Sequence, residues 1–159
     1  MTNIFSIQTI ATLQMWLFGF FKIPLIFFCR PRVINISDQS LEVKIKLNRK
    51  TRNHLKSMYF GVLSVGADLT GGFLAMKHIQ NHDANIALIF KDFHADFLKR
   101  AEGDVHFICD EGEKLKDLVD IAYKTGERQS LPIHIKAFVP SISMDSVATF
   151  ILTLSLKKK

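Results

Sequence analysis

Residues 53–79 constrain this chain more than any other stretch. The run NHLKSMYFGVLSVGADLTGGFLAMKHI is long enough for a helix of several turns, and apolar residues recur on every side of it. Tyr59, Phe60, Val62, Leu63, Val65, Leu69, Phe73, Leu74 and Met76 cannot share one face at about 3.6 residues per turn. Such a helix is either enclosed by protein or crosses a bilayer. Asp68 stands in its middle. A buried carboxylate is costly unless it is hydrogen-bonded or shifted in pKa, so its presence asks for a reason.

A chain of 159 residues, 48% hydrophobic and 23% charged, has the composition of one globular domain. Fourteen Phe against two Tyr make a core of rings that need no hydrogen-bond partner. The net charge of +6 includes Lys157, Lys158 and Lys159, so the remaining excess is small and dispersed. No basic stripe with interleaved aromatics is present, which argues against a nucleic-acid partner. Cys29 and Cys109 alone make neither a disulfide framework nor a metal cluster; they read as small buried residues in a reducing compartment.

The segment 1–31 reads as apolar and helical. Met15–Cys29 resembles the apolar part of a signal peptide, but Lys22 and Pro24 interrupt it, no small-residue cleavage site follows, and Met1–Gln14 carries no positive charge. The run is also too broken to span a bilayer. A short helix over Ile7–Phe20 and a further turn after Pro24 are expected, packed on the sheet or a partner chain. The alternative is peripheral membrane contact through Met15–Phe28, with Trp16 and the Phe residues at the lipid interface. A cytoplasmic location follows from either.

A domain over 32–157 and a basic tail at 158–159 complete the division. Arg32–Ser37 is a short strand and Asp38–Ser40 a turn. Leu41–Leu47 alternates strictly, with Leu41, Val43, Ile45 and Leu47 on one face. Beyond the central helix, Asn81–Asp83 reads as a turn. Asn85–Arg100 reads as a long strand whose apolar phase flips between Phe90 and Phe93, which predicts a β-bulge near Lys91–Asp92. Ala101–Asp104 then turns into a strand over Val105–Cys109, so that the two strands read as a long, bent hairpin. Asp110 and Glu111 open an amphipathic helix whose stripe is Leu115, Leu118, Val119 and Ala122, with Gly126 as its cap. Strands over Ile133–Val139 and Val147–Leu156 end the domain. About six antiparallel strands must therefore curve around one helix too apolar to lie outside, an α+β arrangement.

These residues resemble the hotdog fold, specifically the acyl-CoA thioesterases of the phenylacetic-acid type and the related uncharacterised domains called DUF4442. The pattern N-H-x-x-[TS]-x-x-x-G of those domains is matched by Asn53, His54, Ser57 and Gly61, with Asp68 seven residues further on. Asp96–Asp104, DFLKRAEGD, is similar to a strand-turn-strand of the same proteins. The resemblance covers roughly Arg32 to Leu156.

The resemblance implies a homo-oligomer, dimer or tetramer, that binds an acyl-CoA or acyl-carrier thioester. No cofactor is implied beyond coenzyme A as part of the substrate. Carried over residue by residue, Asp68 is the catalytic base or nucleophile, acting across a dimer interface. The Phe60 N–H becomes the oxyanion donor, and Asn53 orients substrate or water. His54, Ser57, Tyr59, Gly61 and Ser64 would line the substrate, and Lys99 and Arg100, with Lys91, would meet the coenzyme A phosphates. One departure stands out: the His-Gly-Gly expected before the helix is Tyr59-Phe60-Gly61, which narrows the space at the donor.

Each assignment has a structural counterpart. Ser64 precedes Asp68 by one turn and could hold it in a polar network at a subunit interface. Asn53 or Ser57 could cap the helix. Gly66, Gly71 and Gly72 weaken the helix and point to tight packing against the sheet or a second copy. The histidines show no metal-ligand spacing beyond His78/His82, and no glutamate lies between those two as a zinc helix would require. A non-catalytic acyl- or lipid-binding protein is the alternative function.

Overall fold

The computed structural model describes residues 6–82 and 85–159. The elements run α1 (Ile7–Lys22), α2 (Pro24–Cys29), β1 (Arg32–Ile36), β2 (Leu41–Ile45), α3 (Phe60–Ile79), β3 (Ile86–Phe97), β4 (Val105–Cys109), α4 (Gly112–Thr125), β5 (Gln129–Val139) and β6 (Ser143–Lys158). One antiparallel sheet has the strand order β1-β2-β4-β5-β6-β3 and closes over α3. Val62, Leu63, Ala67, Leu69, Leu74 and Ala75 are buried on the helix, which gathers its apolar circumference as its sequence requires. This is the hotdog arrangement.

The alternation of β2 appears as a strict buried/half-buried pattern over Leu41–Ile45. Leu47 lies beyond the strand, where its N–H donates to Asp104 Oδ1 at 3.0 Å. The bulge in β3 falls between Phe90 and Asp92. α4 buries Leu115, Leu118, Val119 and Ala122, and Gly126 caps it at φ 71°, a left-handed conformation that glycine adopts without strain. Asp83 of the expected Asn81–Asp83 turn lies outside the described residues.

The hairpin of β3 with β4 does not form. β3 pairs with β6 over its whole length, Ile86 opposite Lys158 and Phe97 opposite Ala148, whereas β4 joins β2 and β5. A five-residue strand cannot satisfy the ladder of a twelve-residue one, and β6, at sixteen residues, can. β3 is left at one edge of the sheet and β1 at the other.

The stretch Asn53–Tyr59 is a loop, and α3 starts only at Phe60. Asn53 does not cap the helix: its Oδ1 accepts from the N–H groups of Leu55 and Ser57, and its amide reaches Ser57 Oγ at 3.1 Å. Lys56 takes a positive φ of 64° within the same loop. The cap position belongs to Tyr59, whose side chain makes no capping bond.

The N-terminal helices pack on the domain. α1 buries Ala11, Met15 and Gly19, and α2 buries Ile26 and Cys29. The Trp16 indole N–H donates to the Pro31 carbonyl at 2.6 Å, which ties α1 to the chain after α2. Cys29 and Cys109 are both buried, and burial pushes each thiol up to about 11. β6 runs on through Lys158, whose ammonium lies 4.4 Å from the centre of the Tyr123 ring, so residue 158 ends a strand instead of starting a tail.

Candidate functional site between α3 and β3

Three hollows line the side of α3 that faces β3. The first, about 370 Å³, lies at the start of the helix among Asn53, His54, Ser57, Tyr59, Phe60, Phe97, Lys99 and Arg100. A second, about 260 Å³, is formed by Ser64, Val65, Asp68, Phe90, Phe93 and Leu152. The third, about 390 Å³, continues towards the end of the helix between Asp68, Gly72 and Met76 on α3, Phe90 and Ile86 on β3, and Phe18, Ile23 and Ile26 of α1–α2. Asp68 belongs to both the second and the third.

Asp68 is the only acidic residue of α3. Its side chain accepts no hydrogen bond and forms no ion pair among the described residues. Burial raises its pKa above the ordinary carboxylate range, and no other cause acts on it. Ser64 does not hold it: that hydroxyl donates to the Phe60 carbonyl at 3.0 Å, the usual recourse of a serine within a helix. Among the described residues of one chain, Ser64 therefore gives Asp68 no polar partner.

At the start of α3, the first backbone N–H groups are those of Phe60 and Gly61. Neither has a partner among the described residues, whereas Val62 and Leu63 donate back to the Tyr59 carbonyl. The positive end of the helix thus meets the first hollow with two open donors. The Tyr59 ring folds over Gly61, with its Cε1 2.6 Å from where a Cβ would stand, and its centre lies 4.7 Å from that of Phe60. Phe60 in turn meets Phe97, and Phe97 and Phe93 both meet Phe150, so aromatic rings pave the way from the helix start to Asp68.

The structure brings Asn53, His54, Ser57, Tyr59, Phe60, Lys99 and Arg100 together at the first hollow, and Ser64 and Asp68 at the second. Gly61 sits under Tyr59 between the two. Ser57 is buried on Asn53, which leaves it a loop-builder with its hydroxyl engaged. Lys99 pairs with Asp145 at 2.9 Å, and Arg100 with Glu102 at 2.9 Å while it donates to the Leu55 carbonyl. All four charged groups are largely exposed, so these pairs can open to a phosphate. The remaining histidines have structural partners: His78 the Asp38 carbonyl, His82 Asp120, His106 Glu42 and His134 Glu111, with His94 beside Asp96 in the open. His78 and His82 thus point to different partners.

Two sets of lining residues escape a reading of the motif alone. Phe90, Phe93 and Phe97 come from β3, where the phase flip that betrays the bulge turns them towards the helix. Phe18, Ile23 and Ile26 come from a segment set apart from the domain by its sequence. Its apolarity on more than one face was the available signal.

Thr12–Met144 matches the family model described as "Domain of unknown function (DUF4442)". The match takes in most of α1 and all of α2, which corrects the expectation that the resemblance starts at Arg32. No curated protein matches the chain. Among solved structures, a protein of unknown function from Chlorobaculum tepidum superposes with a TM-score of 0.78 at 13% identity, over 96% of this chain and 97% of its own. A thioesterase family protein from Silicibacter pomeroyi gives 0.64 at 16% identity, covering 93% and 99%. A point mutant of a thioesterase from Pseudomonas aeruginosa gives 0.66 at 14%, covering 93% and 94%. At these identities the likeness establishes the hotdog fold.

Proposed function

This chain belongs to the DUF4442 family, and on that premise we propose that it is a thioesterase that hydrolyses an acyl-CoA or acyl-carrier thioester. The observation that carries the reading is Asp68: a half-buried carboxylate with no partner among the described residues, between two hollows, in a fold shared with thioesterases. A base of raised pKa is better matched to taking a proton from water near neutral pH. Water adds to the thioester carbonyl carbon, and Asp68 takes its proton. The carbonyl oxygen becomes an oxyanion that the Phe60 N–H stabilises. The tetrahedral intermediate then expels the thiolate, which collects the proton, leaving a carboxylic acid and a thiol. Direct attack by the carboxylate, through an anhydride, is the variant of the same scheme. Coenzyme A arrives as part of the substrate, its phosphates met by Lys99 and Arg100.

Phe60 and Asp68 are eight positions apart on one helix, about 12 Å along its axis at 1.5 Å per residue, too far to serve one thioester together. A second copy resolves this. The outer edge of β3 has no neighbouring strand among the described residues, and Ile89, Phe93 and Phe97 are exposed along the strand. Two copies joined there would set Asp68 of the partner subunit against the Phe60 N–H of the first, and a pair of dimers would make a tetramer.

The test is hydrolysis across a panel of acyl-CoAs, from acetyl to palmitoyl and aryl, with Asp68→Asn as control. Turnover that needs Asp68 confirms the reading. No turnover from a folded protein overturns it in favour of acyl or lipid binding without catalysis, the reading that Tyr59 packed over Gly61 favours.

A further inference from the structure

α1 has two apolar stripes and the domain covers only one. Ala11, Met15 and Gly19 face inward. Ile10, Leu13, Leu17 and Phe20, spaced by three or four residues along the opposite side, face solvent, and Phe21 beside them is 72% exposed. α2 extends the patch with Leu25 and Phe28. Of the 21 large apolar residues exposed among the described residues, nine fall within residues 7–28. That density exceeds what a soluble surface normally leaves open.

The charges that the segment itself carries are of one sign. Residues 1–37 contain no aspartate or glutamate, and their only charged side chains are Lys22, Arg30 and Arg32. Lys50, from the loop after β2, lies 5.4 Å from the centre of the Phe28 ring, which adds a further cation at the rim. Lys22 closes α1 between the exposed Phe21 and Ile23. A second protein would need its own acidic rim around an apolar patch of matching shape. A bilayer with anionic headgroups offers both chemistries on any approach.

We propose that the outer face of the α1–α2 hairpin docks on an anionic lipid surface, with Leu17, Phe20, Phe21 and Phe28 in the acyl boundary and Lys22 and Lys50 among the headgroups. No helix among the described residues is long and apolar enough to cross a membrane, so the contact is peripheral. α1 packs on β1, the sheet edge opposite β3, which leaves the β3 edge open to a second copy. Leu17, Phe20, Phe21 and Phe28 line none of the hollows that β3 shares, so the docking residues are distinct from those of the proposed dimer edge. Its inner side supplies Phe18, Ile23 and Ile26 to the hollow beside Asp68, so a docked molecule holds that apolar wall against the lipid.

The experiment is co-sedimentation of the full chain with vesicles of phosphatidylcholine mixed with phosphatidylglycerol, and with phosphatidylcholine alone. The chain should pellet with the mixed vesicles and lose that preference in high salt. Leu17→Asp/Phe21→Asp, at exposed positions outside the hollows, should weaken binding at least about tenfold while the melting temperature stays close to that of the parent. Lys22→Gln/Lys50→Gln should abolish the preference for phosphatidylglycerol. Failure of the parent chain to pellet with mixed vesicles overturns the proposal. So does unchanged binding by the aspartate variant, or a fall in its oligomeric state without loss of vesicle binding, which would make this face a contact between copies. Hydrolysis of a short acyl-CoA in lipid-free buffer should be the same for parent and aspartate variant. Its absence from both would defeat the thioesterase reading and leave the docking result standing.

Discussion

α3 meets β4 and β5 without a gap, and meets β3 across a row of hollows. On the closed side, a Cβ at Gly66 would lie 2.3–2.6 Å from three ring atoms of the buried Phe107, and one at Gly71 would lie 2.4 Å from Ile133 Cδ1. On the open side, a Cβ at Gly72 would have nothing nearer than Phe90 at 3.5 Å. A carboxylate elsewhere in the fold is also held differently from Asp68. Away from β3, burial would raise the pKa of Glu111, but its bonds to Lys114 and to the His134 N–H outweigh that and hold it below the ordinary range. Asp68, on the open side, has burial and no compensation. One side of the helix is closely packed, and the other holds a half-buried carboxylate whose raised pKa has no compensating partner among the described residues.

The comparison breaks most visibly at Asp68. Asp68→Asn should lower turnover by about 10²–10⁴-fold, the worth of a positioned base, while raising the melting temperature at pH 7. The sign follows from the raised folded-state pKa: ionised Asp68 destabilises the native state above that pKa, and the penalty fades as pH falls through it towards the unfolded value. The stabilisation by asparagine should therefore vanish in acid. A destabilised Asp68→Asn that still turns over would place Asp68 with the closed side. For the parent, kcat should fall on the acid side with a midpoint above the ordinary aspartate value of 3.8, as read from a pH–rate profile.

The next largest effect is expected at the open edge. Ile89→Lys, at a position 52% exposed, should weaken self-association at least about tenfold in light scattering and reduce turnover with it, leaving the single chain folded. A dimer that persists would move the interface elsewhere. Gly66→Ala should then cost about 1–3 kcal/mol in chemical denaturation, because the Phe107 ring has nowhere to go. Gly72→Ala, the smallest change, should be neutral or stabilising by up to about 1 kcal/mol, since helix propensity favours alanine and the space is there. Equal costs at the two glycines would erase the distinction between the sides.

The sequence announces what depends on local pattern. The alternation of Leu41–Ile45, the bulge after Phe90, the stripe of α4 and its Gly126 cap are each legible because neighbouring residues decide them. The partner of β3 is not, because strand length and register are matched over distance. Asn53 and Ser57 misled for a related reason: both are good caps, yet each spends its side chain on the loop that precedes the helix. Asp68 was legible as an anomaly. Whether Ser64 answered it depended on one rotamer, which points to the Phe60 carbonyl instead.

The pairing of β3 has a consequence for the order in which the molecule is made. Ile86 lies opposite Lys158 and Phe97 opposite Ala148, so each residue of β3 leaves the ribosome 51 to 72 positions ahead of its partner on β6. At 5–20 residues per second, that is an interval of roughly 3–14 seconds, long beside the microseconds in which a helix forms. During it α3 can form and begin to bury its apolar residues, but the wall that completes the hollows around Asp68 is a loose strand carrying Phe90, Phe93 and Phe97. Such a strand is an aggregation hazard until β6 closes on it, and the site does not exist before then. Chaperone dependence during synthesis should accordingly follow the β3–β6 pairing, and shortening the interval by circular permutation should relieve it.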